Sequence, residues 1–455
     1  MPCTPLNHVL RLTSLHHHHS DFFFSTARSI FILQGVGPGC LRVKKQRQRQ
    51  QGISVLHRSF RSAEEQHLEA DMSDDDPTVA AAQYKGPPVA VIGAGVAGCV
   101  AASSLAERGI PVRLFEMGRG PGGRLSTRRE KMGDGTELLF DHGAQYMTVS
   151  YPSVQSLVDK WQAAGLVGIW QAKFGSFDMV ERRYSEETHN DGVTIYVGVP
   201  GMNSICKAMA SQPGIKAEYN TMVVEMKWKE EGLWVLTSKN GESLGTYGAV
   251  VVADKALASS RFRAQSGLPP PLEDAGVPDL YQTLSSIGSV PCLTVMLAFS
   301  HPLTSVPFDS FTVDSSNFLA GAVRVSSKPG RKVLSKSESW VLHSSIDYAL
   351  EIVNKEGFAK PSSASLQSIA VTLLKEFQEI VPEAINPIHV KAHRWGSSFP
   401  LGAVAPQEKC LVDTRKKIVA CGDFCVCPRI EGAIVSGLAA ADKIEHILKI
   451  STAKI

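Results

Sequence analysis

The feature that most restricts what this chain can fold into is a glycine-punctuated turn between two short apolar runs. Val89-Ala90-Val91-Ile92 reads as a buried strand, Gly93-Ala94-Gly95-Val96-Ala97-Gly98 as a turn, and Cys99 to Arg108 as a helix stopped by Gly109. A second apolar strand, Val112 to Phe115, then delivers Glu116. In such a βαβ opening the first glycine permits the tight turn and the second lets backbone approach a pyrophosphate. The third lets helix pack on strand, while the helix N-terminus offers unpaired N–H groups to phosphate. Glu116 follows Gly98 by 18 residues, where a carboxylate takes ribose hydroxyls and repels a 2′-phosphate. The strand, helix and acid together read as a dinucleotide site that disfavours NADP.

An ADP half alone does not separate NAD from FAD, so the rest of the chain decides. Downstream stand Gly120-Pro121-Gly122-Gly123-Arg124-Leu125-Ser126-Thr127-Arg128-Arg129 and Phe140-Asp141-His142-Gly143-Ala144-Gln145-Tyr146. Near the C-terminus Lys417 to Cys421 reads as another buried strand, delivering Gly422-Asp423, and Glu431-Gly432-Ala433 opens a last helix. A carboxylate at the end of a later parallel strand suits the ribityl hydroxyls of an extended FAD. A following helix N-terminus suits the electron-rich edge of its ring. NAD has no group that needs either, and FAD is the cofactor expected.

These motifs, with Val199-Pro200-Gly201-Met202-Asn203, Ser327-Lys328-Pro329-Gly330-Arg331 and His393-Arg394-Trp395, resemble the renalase-like branch of the flavin amine oxidase superfamily, over roughly residues 87 to 447. The resemblance implies an α/β fold: a Rossmann-like FAD-binding domain of the p-hydroxybenzoate-hydroxylase kind interleaved with an α+β substrate domain on an antiparallel sheet. It implies hydride transfer from a reduced planar donor, such as dihydronicotinamide isomers of NAD(P)H, to flavin N5, with oxygen as acceptor and hydrogen peroxide as product. It places Gly93, Gly95, Val96, Ala97, Gly98 and Glu116 at FAD, followed by Gly122, Gly123, Arg124, Gly143, Ala144 and Gln145. Gly422, Asp423, Gly432 and Ala433 belong to the same set, and Val223 matches a position whose backbone meets adenine. Monoamine oxidases carry a lysine behind flavin N5 in a segment resembling Gly288 to Cys292, and no lysine occurs here between Tyr281 and His301. That departure favours the renalase-like reaction. A flavin amine oxidase or carotenoid-type desaturase stays open, as does a flavin-binding or redox-sensing protein without turnover.

For the chemistry, a flat donor must be held over the flavin and water kept away. Gln145, Tyr146 and Trp395 are the catalytic candidates by motif, with core packing as the alternative role for each. His343 and His393 are weaker candidates beside apolar strands. Lys328, Arg331 and Arg394 are candidates for a phosphate-bearing substrate. Cys421, Cys425 and Cys427 lack a zinc-type spacing, so no metal is expected; buried thiols are favoured over a flavin thioether.

The organisation expected is a leader over 1–85, an FAD domain from 86–150, 190–262 and 386–448, and a substrate domain from 151–189 and 263–385. Strands are expected at Ile195 to Val199, Val223 to Trp228, Leu233 to Thr237, Ala249 to Ala253, Leu293 to Phe299, Phe311 to Val313 and Trp340 to His343, with an amphipathic helix at Leu366 to Ile380. Residues 1–61 hold nine Lys/Arg against Asp21, a transit-peptide composition that points to a chloroplast more than a mitochondrion. Translation from Met72 would discard it and leave the protein cytoplasmic. His16 to His19 belong to this leader. The remaining residues carry 38 basic and 43 acidic side chains, which excludes a nucleic-acid footprint in the folded part. The charge-free run Gly86 to Ala106 is interrupted by glycines and prolines, so no membrane span is expected, and the partners are a small-molecule substrate and oxygen.

Overall fold

Four apolar residues buried on both faces need strands on either side. In the computed structural model, Val89–Ile92 lies at the centre of a parallel array, paired with Val112–Phe115 and Ala249–Val252. The structure describes residues 84–187, 193–331 and 337–452. The leader with His16 to His19 and Met72, and the domain boundary expected near 190, lie outside them.

The six-stranded sheet runs Leu411–Asp413, Ile418–Ala420, Ala249–Val252, Val89–Ile92, Val112–Phe115, Ile215–Glu218, with only the first antiparallel to its neighbour. The helix after the first strand spans Val96–Glu107, three residues earlier than its apolar run suggested, and Gly109 closes the turn with its N–H on Ala106 O at 2.9 Å. The long C-terminal helix Ile430–Thr452 packs against it so closely that a Cβ on Gly437 would stand 2.5 Å from Ala97 O. A three-stranded antiparallel meander, Val223–Trp228, Trp234–Ser238 and Ser243–Tyr247, fills the crossover before Ala249–Val252.

The other half rests on a seven-stranded sheet ordered His389–Pro400, Ser289–Phe299, Glu338–Ser344, Leu319–Arg324, Ser310–Asp314, Phe174–Asp178, Arg183–Glu186. It is antiparallel except where Phe174–Asp178 joins Ser310–Asp314. The helix Ser363–Ile380, capped by the Ser362 hydroxyl on the Ser365 N–H, lays Ile369, Leu373 and Phe377 on Leu293, Val295, Phe311 and Trp340. Each such fully buried side chain stabilises by about 1.5–3 kcal/mol. The chain is thus a mixed α/β fold with a Rossmann-like half and a sheet-and-helix half. One expected boundary does not hold: His389–Pro400 pairs along Ser289–Phe299, so residues 389–400 belong to the seven-stranded sheet and not to the nucleotide-binding half. Its alternating burial lets it serve as an edge strand there. Among the described residues no helix is long and apolar enough to cross a membrane.

Candidate active site

The parallel strands end on one side in Gly93, Glu116, Ala253-Asp254 and Gly422-Asp423, and all of these line one cleft of about 430 Å³. Its far wall comes from the seven-stranded sheet: Ser289 and Cys292, His343, and Trp395 with Ser397 to Pro400. Ligands of open parallel sheets sit at these carboxyl ends.

At one end the glycines do the work that sequence assigned to them. Gly93 has φ 105°, and a Cβ on Gly98 would lie 1.9 Å from Gly93 O, so the helix can approach the turn only because Gly98 has no side chain. Gly95 borders open space, with nothing within 4 Å of a Cβ placed there. No side chain caps the helix that follows, leaving its first N–H groups to a ligand. Glu116 Oε2 accepts the Ala94 N–H at 2.9 Å and Oε1 the Gly118 N–H at 2.7 Å, which aims the carboxylate at the rim of this floor. Burial raises its pKa, opposed by those two N–H bonds.

Midway, Arg124 forks onto Asp423, with Nη1 to Oδ2 at 2.6 Å and Nη2 to Oδ1 at 2.7 Å. Nη1 also reaches Ser398 O at 2.9 Å, tying the glycine turn to the far wall. Beyond this pair the cleft turns aromatic. Trp395 donates its indole N–H to His142 O at 2.8 Å, and its ring lies 5.1 Å from the His142 ring and 4.5 Å from that of His393. Burial pushes the imidazole of His142 down to about 4, that of His343 to about 4 and that of His393 to about 3, so all three are neutral at pH 7. His142 Nδ1 is buried without a hydrogen-bond partner among the described residues. A side-chain-free floor at a helix N-terminus, an acid at its rim, an Arg–Asp pair midway and an orphaned buried imidazole nitrogen at the far end fit an extended FAD.

Not every expected residue faces this cleft. Gly93, Gly95, Val96, Ala97, Glu116, Gly122, Gly123, Arg124, Gly143, Ala144, Tyr146, Trp395, Gly422, Asp423 and Ala433 line it. Gly98 and Gly432 instead permit close packing: a Cβ on Gly432 would meet Cys427 O at 2.3 Å. Val223 is buried in the meander, its strand pairing with Ser238, two residues after Thr221, whose N–H bonds Glu116 O at 2.9 Å. Gln145 is turned away, its amide nitrogen donating to Asp141 O and its Oε1 accepting from Lys328 at 2.9 Å, so its side chain is not a cleft group. Tyr146 lines the cleft yet packs on Trp170 and Phe174, with burial raising its phenol.

The three substrate candidates are corrected outright. Lys328 and Arg331 share the one buried carboxylate of Asp141, and Arg394 bonds Glu356 at 3.1 Å and Ala359 O; all three side chains are buried inside the protein and none lines the cleft. Asp141, overlooked in the sequence, is the hub: its Oδ1 accepts the Thr127 hydroxyl at 2.7 Å and the Met202 N–H at 3.0 Å. Glu431 was overlooked too, its carboxylate holding the Ser150 and Tyr151 N–H groups ahead of the helix Pro152–Ala163. Neither spacing nor periodicity pairs residues so far apart. Cys421, Cys425 and Cys427 do not line the cleft; Cys292 does, with burial pushing its thiol up to about 12.

Two family models match this chain in tandem. Residues 91–161 match the NAD(P)-binding Rossmann-like domain, and residues 161–445, well over half of the chain, match the flavin-containing amine oxidoreductase model. The chain belongs to the flavin-containing amine oxidoreductase family. Its cofactor is FAD, and the family is one of oxidoreductases. Among curated relatives it is 42% identical over 72 residues to the carotenoid phi-ring synthase of Streptomyces griseus, covering 16% of this chain and 14% of that protein. It is 46% identical over 74 residues to protoporphyrinogen oxidase 2, chloroplastic/mitochondrial, of Arabidopsis thaliana, with the same 16% and 14% coverage. The matched stretches therefore span about one seventh of those relatives' length. A redesigned putrescine oxidase superposes with TM-score 0.56 at 13% identity, over 79% of this chain and 99% of that one. An oxidoreductase from Methanosarcina mazei does so with TM-score 0.54 at 12% identity, over 78% and 100%. These last two share the fold.

Proposed function

We propose that this family member is an FAD-dependent oxidase that takes hydride from a reduced planar donor, a dihydronicotinamide-like ring being the type best suited, and passes the electrons to oxygen. The observation that carries this reading is the lining of the ring end of the cleft. Trp395, His142 and Tyr146 offer flat, uncharged surfaces there, and aromatic pairs of this kind contribute about 0.5–1.5 kcal/mol beyond area burial. Each acidic residue on the cleft wall already has a partner within the protein. Glu116 holds two N–H groups, Asp254 caps the turn Lys255–Ala258 through the Ala256 N–H, and Asp423 pairs with Arg124. An alkylammonium would find no carboxylate without a partner among the described cleft residues. The absence of lysine from the strand Ser289–Phe299 argues the same way.

Bound FAD supplies a two-electron acceptor. The chain's own part is to seat phosphates on the N–H groups at Val96 and Ala97, hold ribose on Glu116, orient the ribityl chain with Asp423, and keep water from the aromatic end. Anaerobic mixing of the holoprotein with dihydronicotinamide isomers and with primary and secondary amines tests the reading. Bleaching of the flavin by the former supports it, and bleaching by amines alone rejects it. Amine oxidation is the second reading, favoured by the family match over residues 161–445. Bound flavin that no donor in the panel bleaches would favour a protein without turnover.

A further inference from the structure

We propose that Arg261, with Lys255 beside it, forms an anion-binding subsite at the ring end of the cleft, and that the donor oxidised there carries a phosphate or similar anionic group. The inference deepens the reading given above and rests on it for the identity of the reacting ring. Arg261 lies on the helix Ser260–Ser266 and lines the cleft together with Phe358 and Trp395. A Cβ placed on Gly396 would have Arg261 Nε at 3.9 Å and Phe358 Cδ1 at 3.7 Å, so guanidinium and phenyl flank the backbone that follows Trp395. Phe358 is 40% exposed, an apolar ring standing at the mouth.

The neighbouring cations are consumed, and these two are not. Arg124 is forked onto Asp423 and Arg394 onto Glu356 and Ala359 O. Arg261 has neither a hydrogen bond nor an ion pair among the described residues, and Asp254, the acid that acts on it through space, is already an acceptor for the Ala256 N–H. Lys255 has one long bond, to Ile287 O at 3.3 Å. Burial pushes Lys255 down to about 8 and lowers Arg261 as well, the cost of partly desolvating two cations that share Asp254 as a nearby acid acting only through space. FAD's phosphates have their own floor at Gly95 and the N-terminus of Val96–Glu107, whereas Arg261 stands beside Trp395-Gly396. A guanidinium fork next to an aromatic ring suits a phosphate attached to a flat donor.

The test uses oxidised holoprotein and two ligands that differ only by a phosphate, nicotinamide mononucleotide and nicotinamide riboside, titrated against the flavin absorbance. Wild type should favour the mononucleotide by about ten-fold or more, and Arg261→Gln should reduce that preference to about two-fold, with Arg261→Lys between them. Flavin content per chain should be unchanged. Lys255→Met should shift the preference the same way, and serves if Arg261→Gln does not fold. No phosphate preference in the wild type, an unchanged preference in the variants, or loss of FAD from them would overturn the proposal, the last assigning the cations to the cofactor. Because the titration needs no turnover, failure of every dihydronicotinamide to bleach the flavin would sink the oxidase reading and leave this result standing by itself.

Discussion

Lys328 Nζ stands 3.1 Å from Asp141 Oδ2, and both side chains are completely withdrawn from solvent. The ammonium also donates to Gln145 O at 2.7 Å and to Gln145 Oε1, and Arg331 reaches the same carboxylate oxygen. The strand Glu137–Asp141, which feeds the cleft segment 142–146, is thereby fastened to the loop after Leu319–Arg324 of the seven-stranded sheet. The pair connects the two halves of the fold just behind the aromatic end of the cleft.

Removing Asp141 would leave both Lys328 and Arg331 charged and dry. Lys328→Met leaves Asp141 its Arg331 partner and should cost less, whereas Asp141→Leu should cost about 3–5 kcal/mol, read as a lower urea midpoint at unchanged slope. The double variant Asp141→Leu/Lys328→Met should recover part of that loss. Strict additivity of the two single changes would show that the pair is not coupled.

Much of this fold can be read in the sequence because short apolar runs bounded by glycine have few alternatives. Val89–Ile92, Val112–Phe115 and Val223–Trp228 form where their patterns put them, and Ser363–Ile380 extends the amphipathic run by one turn. The cofactor floor was legible because Gly93 and Gly98 each meet a local steric demand and Gly95 leaves open space beside them. The cations were misread. Lys328 and Arg331 flank a Pro-Gly turn, a setting that reads as solvent or ligand contact, and only the tertiary structure brings Asp141 to them. Arg261 carries no motif at all, and its place beside Gly396 arises from packing between segments more than a hundred residues apart. The run His389–Pro400 was misassigned because an edge strand's partner is not encoded in its own alternation.

The histidines of the aromatic end give a pH prediction. His142 and His393 titrate near 4 and 3 in the folded protein against about 6.5 unfolded. The unfolded chain binds more protons across that interval, so stability rises with pH through it and is lost as pH falls from 6.5. Above about pH 6.5 these imidazoles stay neutral and should add no limb to the pH profile of flavin reduction. A limb between pH 6 and 7 that disappears in His142→Gln would contradict this assignment.

Glu116 presents its carboxylate at the rim of the glycine floor while both oxygens hold backbone N–H groups. Glu116→Gln keeps one acceptor, replaces the other with a donor facing an N–H, and removes the charge that ribose hydroxyls would meet. FAD affinity should fall by about ten-fold or more, a loss on the scale of one hydrogen bond to a charged group. Dialysis followed by the visible absorbance ratio measures it, and retention equal to wild type would remove Glu116 from the cofactor site.

Two neighbouring glycines should fail in different ways. A Cβ at Gly98 collides with Gly93 O at 1.9 Å and with Ala253 Cβ at 2.9 Å, both within the packed joint between helix and sheet. Gly98→Ala should destabilise the fold by about 1–3 kcal/mol, seen as a lower melting temperature even without flavin. Gly95 has φ −70° and open space where its Cβ would stand, so the apoprotein should accept alanine with its melting temperature unchanged. The methyl group would occupy the floor on which the pyrophosphate must settle, and Gly95→Ala should refold normally and take up little FAD. If Gly95→Ala binds flavin as wild type does, the phosphates lie elsewhere in the cleft. The extended pose that links Glu116 to Asp423 would then have to be abandoned.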